Sequence, residues 1–316
     1  MPKITRNSKA PTSGRYSIAL RRYWSNPLLV TGTVCISLLT LAALFAPWIT
    51  SYDPYSIEAL NRLKPPSGEH YFGTDNLGRD VYTRILFGLR VSLLVGGAVT
   101  IISGLIGLAV GLLAAYYAVC DHILMRICDG LYAFPSILLA ISIVAIMGPR
   151  TINVIIALSI VYVPSIARIV RSAALVVKEK TYIEGLKAQG AGPFRIIGLH
   201  ILPNVLSPLV IQASFIFAVS ILTEASLSFL GAGIPAPAPS LGNLLLDGKN
   251  VIFNAWWMTV FPGVCIILMI LGLNLLGDGL RDFLDPKTKK KRHVKKNKKT
   301  SIGRRERNEP DLTIGS

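Results

Sequence analysis

Residues 182–204 read Y-I-E-G-L-K-A-Q-G-A-G-P-F-R-I-I-G-L-H-I-L-P-N. The stretch is polar and rich in glycine, and apolar runs flank it at 152–175 and 205–230. A helix that crosses the hydrocarbon of a bilayer needs about 20 mostly apolar residues, and both neighbours supply them. The 182–204 stretch is therefore a loop between two spans, and the remaining chain is read outward from it.

Four more runs qualify as spans, at 28–49, 91–119, 131–148 and 258–280, which makes six in all. Arg168 and Arg171 fall near the end of the fourth span, and charged residues within the runs are few, as the cost of burying charge requires. The first run follows a basic tail and lacks a small-x-small cleavage site, so it reads as a retained helix. Composition agrees. The chain has 316 residues, 52% hydrophobic and 16% charged, against about 25% charged in soluble domains. The expected fold class is an all-α integral membrane protein of six transmembrane helices.

The charge bias sets the orientation. Lys3, Arg6, Lys9, Arg15, Arg21 and Arg22 precede the first span with no acid among them, and twelve Lys/Arg follow Asp285. The 178–200 stretch holds four basic and two acidic residues, whereas 51–90 is balanced and 231–257 carries only Asp247 and Lys249. Both termini and the 182–204 loop are thus expected in the cytosol, with 51–90 and 231–257 outside. The organisation is a basic tail at 1–27, a membrane domain at 28–286 with a cytosolic loop at 178–204, and a basic tail at 287–316 with the composition of a disordered segment. Trp48, Trp256 and Trp257 fall where interfacial aromatics belong. Gly104, Gly107 and Gly111 in the second span have spacings that suit close helix approach or are incidental.

The chain has 33 Lys+Arg against 17 Asp+Glu. No aromatic residue interleaves the C-terminal lysines, so the tail suits anionic lipid better than nucleic acid. Cys35, Cys120, Cys128 and Cys265 match neither a redox nor a zinc spacing and read as free thiols. His70, His122, His200 and His293 are scattered. There is no G-x-x-x-x-G-K-[ST], H-E-x-x-H or G-x-S-x-G string, so a phosphate cradle, a zinc hydrolase helix and a nucleophile elbow all lack their residues. No catalytic residue, metal ligand or cofactor site is assigned.

Within the loop, residues 181–188 suit a short helix, Gly190 and Gly192 a turn, and Pro193 the first position of a second helix. Ile183, Leu186 and Phe194 offer apolar knobs, and Glu184, Lys187 and Arg195 offer polar contacts. Glu224 is a lone acid in the outer part of the fifth span. It has two readings, a pathway acid facing a water-filled cavity or a packed, hydrogen-bonded structural acid.

Three blocks together resemble the permease subunits of bacterial binding-protein-dependent ABC importers, and among them the C-type permease of the dipeptide/oligopeptide/nickel group. The loop is similar to that family's E-A-A–x(3)–G–x(9)–I-x-L-P pattern, with Glu184, Gly190, Leu202 and Pro203 in register. The second block is H-Y-F-G-T-D-N-L-G-R-D-V-Y-T-R-I-L-F-G-L-R-V-S-L at 70–93. The third is E-A-S-L-S-F-L-G-A-G at 224–233. The charged residues of the second block read either as an amphipathic stretch at the interface or as a docking surface. Gly185 and Leu186 stand at the two alanines of the pattern, His200 at its isoleucine, and Leu241 where a Trp is common.

The resemblance implies a non-enzymatic permease in the bacterial inner membrane. It implies a homologous permease partner in a heterodimer, two ATP-binding subunits and an external substrate-binding protein. The loop would then couple to the ATPase through Tyr182, Glu184, Gly185, Leu186, Ala188, Gly190, Ala191, Phe194, Leu202 and Pro203. Di- or oligopeptides are the expected cargo. Nickel or a chelated metal is the alternative within the same architecture. An ion-coupled carrier and a scaffold subunit are the rivals outside it.

Overall fold

The computed structural model describes residues 20, 21 and 23–284. The basic tails read at 1–27 and 287–316 fall largely or wholly outside those residues. The described chain is helical, in the order α1 (Pro27–Leu44), α2 (Ala46–Ile49), α3 (Val81–Tyr116), α4 (Ala118–Tyr132), α5 (Ser136–Met147), α6 (Thr151–Lys178), α7 (Thr181–Ala188), α8 (Pro193–Arg195), α9 (Leu202–Phe229), α10 (Leu241–Lys249) and α11 (Trp257–Leu284). A turn of 3-10 helix at Ala59–Asn61 and a π-helical turn at Ile196–Ile201, between α8 and α9, complete it. α1, α3, α6, Pro193–Phe229 and α11 are each long and apolar enough to span a membrane.

The third span is broken. The sequence predicts one helix at 131–148, but α4 and α5 meet at 93°. Pro135 makes the break: it has no N–H to donate, and its ring disfavours helical backbone at Phe134. α5 has 12 residues, a rise of about 18 Å, well short of the ~30 Å hydrocarbon core. Counting the bent pair as one span gives six.

α3 also begins ten residues before the predicted 91. Asp80 caps it, accepting from the Thr83 backbone N–H at 2.8 Å and from Thr83 Oγ1 at 2.7 Å. Ser, Thr, Asp or Asn at this position satisfies donors that the first helical turn leaves free, and the D-V-Y-T string carried that signal.

α3 and α6 pack most intimately. A Cβ on Gly107 would sit 2.7 Å from Ile166 Cβ, and one on Gly111 would sit 2.6 Å from the Ala167 carbonyl oxygen. Gly104 has open space beside it, so only part of the glycine pattern serves helix approach. Gly111→Leu should therefore force α3 off α6 and cost about 2–3 kcal/mol, as overpacking does. A lowered thermal midpoint of the purified protein in detergent checks this.

The bundle has two ends. One carries the α3–α4 junction and the 178–204 loop. The other carries the 50–80 segment, α10 and the 231–240 turn. Trp257 is buried there, and its Nε1–H donates to the Thr74 carbonyl at 3.1 Å. It is a core residue rather than the interfacial aromatic its position predicts, whereas Trp48 and Trp256 are exposed. Leu241 is fully buried against α3 beside Gly88, so this position packs without a Trp.

Candidate functional site

The 182–204 loop forms a helix, a tight turn and a second helix. α7 ends at Ala188, and Gly190 follows at φ +80°. The Gly190 N–H donates to the Lys187 carbonyl and the Ala191 N–H to the Leu186 carbonyl, both at 3.0 Å. These two bonds define a Schellman cap, which requires left-handed backbone at the glycine. Gly192 then has extended backbone and Pro193 opens α8, where its missing N–H costs nothing.

The second helix does not stop before the membrane. α8, the π-helical turn and α9 run on from Pro193 to Phe229, although the sequence predicts a span starting at 205. The π turn accommodates Pro203 just beyond it. The Leu202 N–H reaches back five residues to the Ile197 carbonyl, and Asn204 Nδ2 donates to the His200 carbonyl at 2.7 Å.

The loop is fixed from below. Ile183, Ile196 and Ile201 are fully buried in the core formed with α3 and α6, and Leu186, Ala191 and Ile197 pack against it. Ile183 is therefore an anchor in the chain's own core and not an exposed knob. Lys178, at the end of α6, donates to the Ala115 and Tyr116 carbonyls at 2.8 and 3.1 Å. It caps the C-terminus of α3, where a cation also suits the helix dipole. Arg171 reaches Asp121 through two nitrogens at 2.5 and 2.6 Å, and Arg168 reaches Asp129 at 2.8 Å. These pairs tie α4 to α6. Sequence reasoning missed all of these ties, because such pairings join residues 39 to 63 positions apart.

The exposed face of the loop carries Tyr182, Glu184, Gly185, Ala188, Gly190, Phe194 and Pro203, while Leu186, Ala191 and Leu202 are half-buried. Phe194 is 91% exposed. His200 is half-buried with its ring 6.2 Å from that of Tyr182, near edge-on. Nothing lies within 4 Å of a Cβ on Gly185. Gly185→Ala should accordingly stabilise α7 by about 0.5–1 kcal/mol through helix propensity. Slower amide exchange in residues 181–188 is the expected readout.

Glu224 belongs to the other end of the bundle, far from the loop. It is fully buried. Its Oε1 accepts from Ser228 Oγ and Ser240 Oγ and its Oε2 from Ser92 Oγ, each at 2.9 Å. The Ser228 and Ser240 hydroxyls in turn accept from the backbone N–H groups of Ile234 and Gly242, each at 3.2 Å. One side chain thus joins α3, α9, the 231–240 turn and α10. The carboxylate is thus hydrogen-bonded within the bundle through both of its oxygens.

The 70–93 block, read as an amphipathic stretch at the interface or a docking surface, folds its charged residues into a polar cap, except for Arg90, which is exposed. His70, Asp75, Arg79, Asp80 and Arg84 are all buried. Asp75 accepts from the Leu77 and Arg79 backbone N–H groups and from Arg79 Nε at 2.7 Å. His70 Nδ1 lies 3.0 Å from Asp80 Oδ1. Arg84 Nη1 donates to the Pro54 carbonyl at 3.0 Å. Asp247 of α10 faces this cap. Burial pushes its carboxyl above the usual range, against the opposing pull of Arg79 and Arg84.

A bundle of apolar helices with one folded loop at one end and a buried polar cap at the other defines a multi-pass membrane protein. The chain belongs to the family described as binding-protein-dependent transport system inner membrane component, which matches residues 107–290. Residues 15–66 match the N-terminal TM domain of oligopeptide transport permease C. A peptide transport system permease protein of Brucella abortus is 46% identical over 281 residues, covering 88% of this chain and 95% of that one. A dipeptide transport system permease protein of Alkalihalophilus pseudofirmus is 46% identical over 272 residues, covering 86% and 90%. Among solved structures, an inward-facing MetNI methionine ABC transporter aligns with TM-score 0.55 at 22% identity, over 64% of this chain and 97% of that one, a likeness of fold. The chain is an ABC importer permease, a transport subunit rather than an enzyme.

Proposed function

We propose that this permease forms half of the path by which an ATP-driven importer admits short peptides. The observation that carries the reading is near full-length similarity, at 46% identity, to permeases named for peptide and dipeptide transport. In this reading the 181–204 loop seats in a groove of an ATP-binding subunit. Tyr182, Glu184, Gly185, Ala188 and Phe194 form the contact, Gly190 and Ala191 the turn, and Leu186, Leu202 and Pro203 the join to the bundle. A short helix laid in a groove is a common mode of recognition. The loop's buried underside makes it stiff enough to pass on a push.

The charge bias then puts the loop and both termini in the cytosol, and the polar cap outside. A homologous permease completes a heterodimer, two ATP-binding subunits dock beneath it, and an external binding protein delivers cargo to the capped end. A cavity of about 480 Å³ at the α4–α5 bend, lined by Tyr132, Phe134, Tyr162, Ser165, Gln212 and Val219, supplies part of the path wall. Rigid-body tilting of the spans switches access.

The test is reconstitution of the complex with its binding protein in liposomes. Dipeptides should stimulate ATP hydrolysis and enter even when ionophores collapse the ion gradients. Uptake that follows the proton gradient and ignores ATP would point to a secondary carrier. Stimulation by nickel complexes but by no peptide would give the same architecture another cargo.

A further inference from the structure

A second, smaller cavity of about 250 Å³ lies between the polar cap and the 231–240 turn. Arg79, Arg84, Asn243 and Asp247 line it, and the turn carrying Gly233 and Ile234 roofs it. Asn243 Nδ2 holds that roof by donating to the Ile234 carbonyl at 2.8 Å.

The charges on its wall are incompletely matched. Asp75 and Arg79 satisfy each other at 2.7 Å. Arg84 is 2% exposed, and its Nε has no hydrogen-bond partner. The nearest carboxylate oxygen to that nitrogen, Asp75 Oδ2, is 3.5 Å away. Asp247 is in the converse position. Its Oδ2 lies 3.8 Å from Arg79 Nη2, too far for a hydrogen bond, and its side chain is 30% exposed. Arg84 keeps a neutral acceptor, the Pro54 carbonyl, at 3.0 Å, but neither it nor Asp247 has an opposite charge within the roughly 2.7–2.9 Å of a charge-assisted bond.

Charges held at 3.5 and 3.8 Å from their counter-charges are only partly compensated, and a ligand that brings both opposite charges improves the match of both groups at once. The volume is below the ~300–1,000 Å³ of pockets that take drug-sized molecules, which restricts the ligand to a small one. We propose that this cavity binds the zwitterion of a dipeptide-sized molecule, its carboxylate at Arg84 and its ammonium at Asp247. The proposal rests on the peptide-import reading, which puts the cavity on the face where cargo arrives.

The experiment uses the assembled transporter without its binding protein. Calorimetry compares L-Ala-L-Ala, its N-acetyl form and its C-terminal amide. The free dipeptide should bind at least about tenfold more tightly than either blocked form, since each block removes one charge contact. Asp247→Asn should weaken the free dipeptide by about tenfold and leave the acetylated form unchanged. Equal affinity of the wild type for all three probes, or no binding of the dipeptide, overturns the proposal, and neither outcome depends on a variant folding. Wild-type affinity for the dipeptide in Asp247→Asn overturns it too. Dipeptide-stimulated ATP hydrolysis with the binding protein reports on peptide import separately. If that stimulation persists while the calorimetry fails, the cavity is excluded and the import reading stands.

Discussion

Glu224→Ala should destabilise the permease by about 3 kcal/mol, and Glu224→Gln by about 1 kcal/mol. Alanine removes the acceptor shared by the hydroxyls of Ser92, Ser228 and Ser240, all of which are buried with it. A buried donor left unmade costs about 1–3 kcal/mol. Serines on helices recover part of that by bonding the carbonyl four residues back, so the three losses do not add in full. Glutamine keeps one acceptor oxygen for Ser228 and Ser240 and turns a donor toward Ser92, whose hydroxyl can accept it. Thermal midpoints of the two variants in detergent, set beside the amount of protein in the membrane, check the order wild type, Gln, Ala. A pathway acid behaves otherwise: Ala would leave the midpoint where it is and abolish transport. That result would return Glu224 to the permeation route.

A second pair of substitutions separates anchoring from contact. Phe194→Ala should leave the stability of the chain within about 0.5 kcal/mol, because an exposed side chain loses little on truncation. If Phe194 fills a pocket in the ATP-binding subunit, the same change costs about 2 kcal/mol of association, or roughly 30-fold in affinity. Ile183→Ala should do the reverse. Ile183 is fully buried beneath the loop, and deleting such a side chain costs about 2–5 kcal/mol of stability. Co-purification of the ATP-binding subunit and the thermal midpoint, measured on both variants, give the two axes. Phe194→Ala that holds the ATPase at wild-type strength removes Phe194 from the coupling surface.

The spans and the loop were legible because both are written in local composition. Uncharged runs mark the membrane, and Gly190, Gly192 and Pro193 mark the turn. What was not legible depended on pairing at a distance. Asp80 and Arg84 made the start of α3 look like a wet interface, yet their partners Thr83, His70 and Pro54 let them be buried. Hydropathy counts a charge and does not count its partner. The break at Pro135 lay inside an apolar run, so composition alone left the third span whole. Pro203 argued for the opposite error, a gap between loop and span that a π turn closes. In the loop, the sequence named the right segment but could not say which faces of α7 and α8 are turned inward. Ile183 and Phe194 look alike as apolar residues and differ completely in exposure.

The unbroken run from Pro193 to Phe229 is 37 residues, or about 55 Å of helix. Its near end bears Phe194, and its far end bears Glu224 and the clasp that holds Ser92 and Ser240. In the proposed coupling the piece has the form of a crank: its handle is the loop and its pin is the clasp under the roof of the small cavity. Between handle and pin the helix is continuous, interrupted in its bonding by the π turn at Ile196–Ile201 and by Pro208 within α9. If the loop couples to an ATP-binding subunit as proposed, a turn of the handle arrives at the cavity roof as movement of the pin, and one rod sets the timing at both ends.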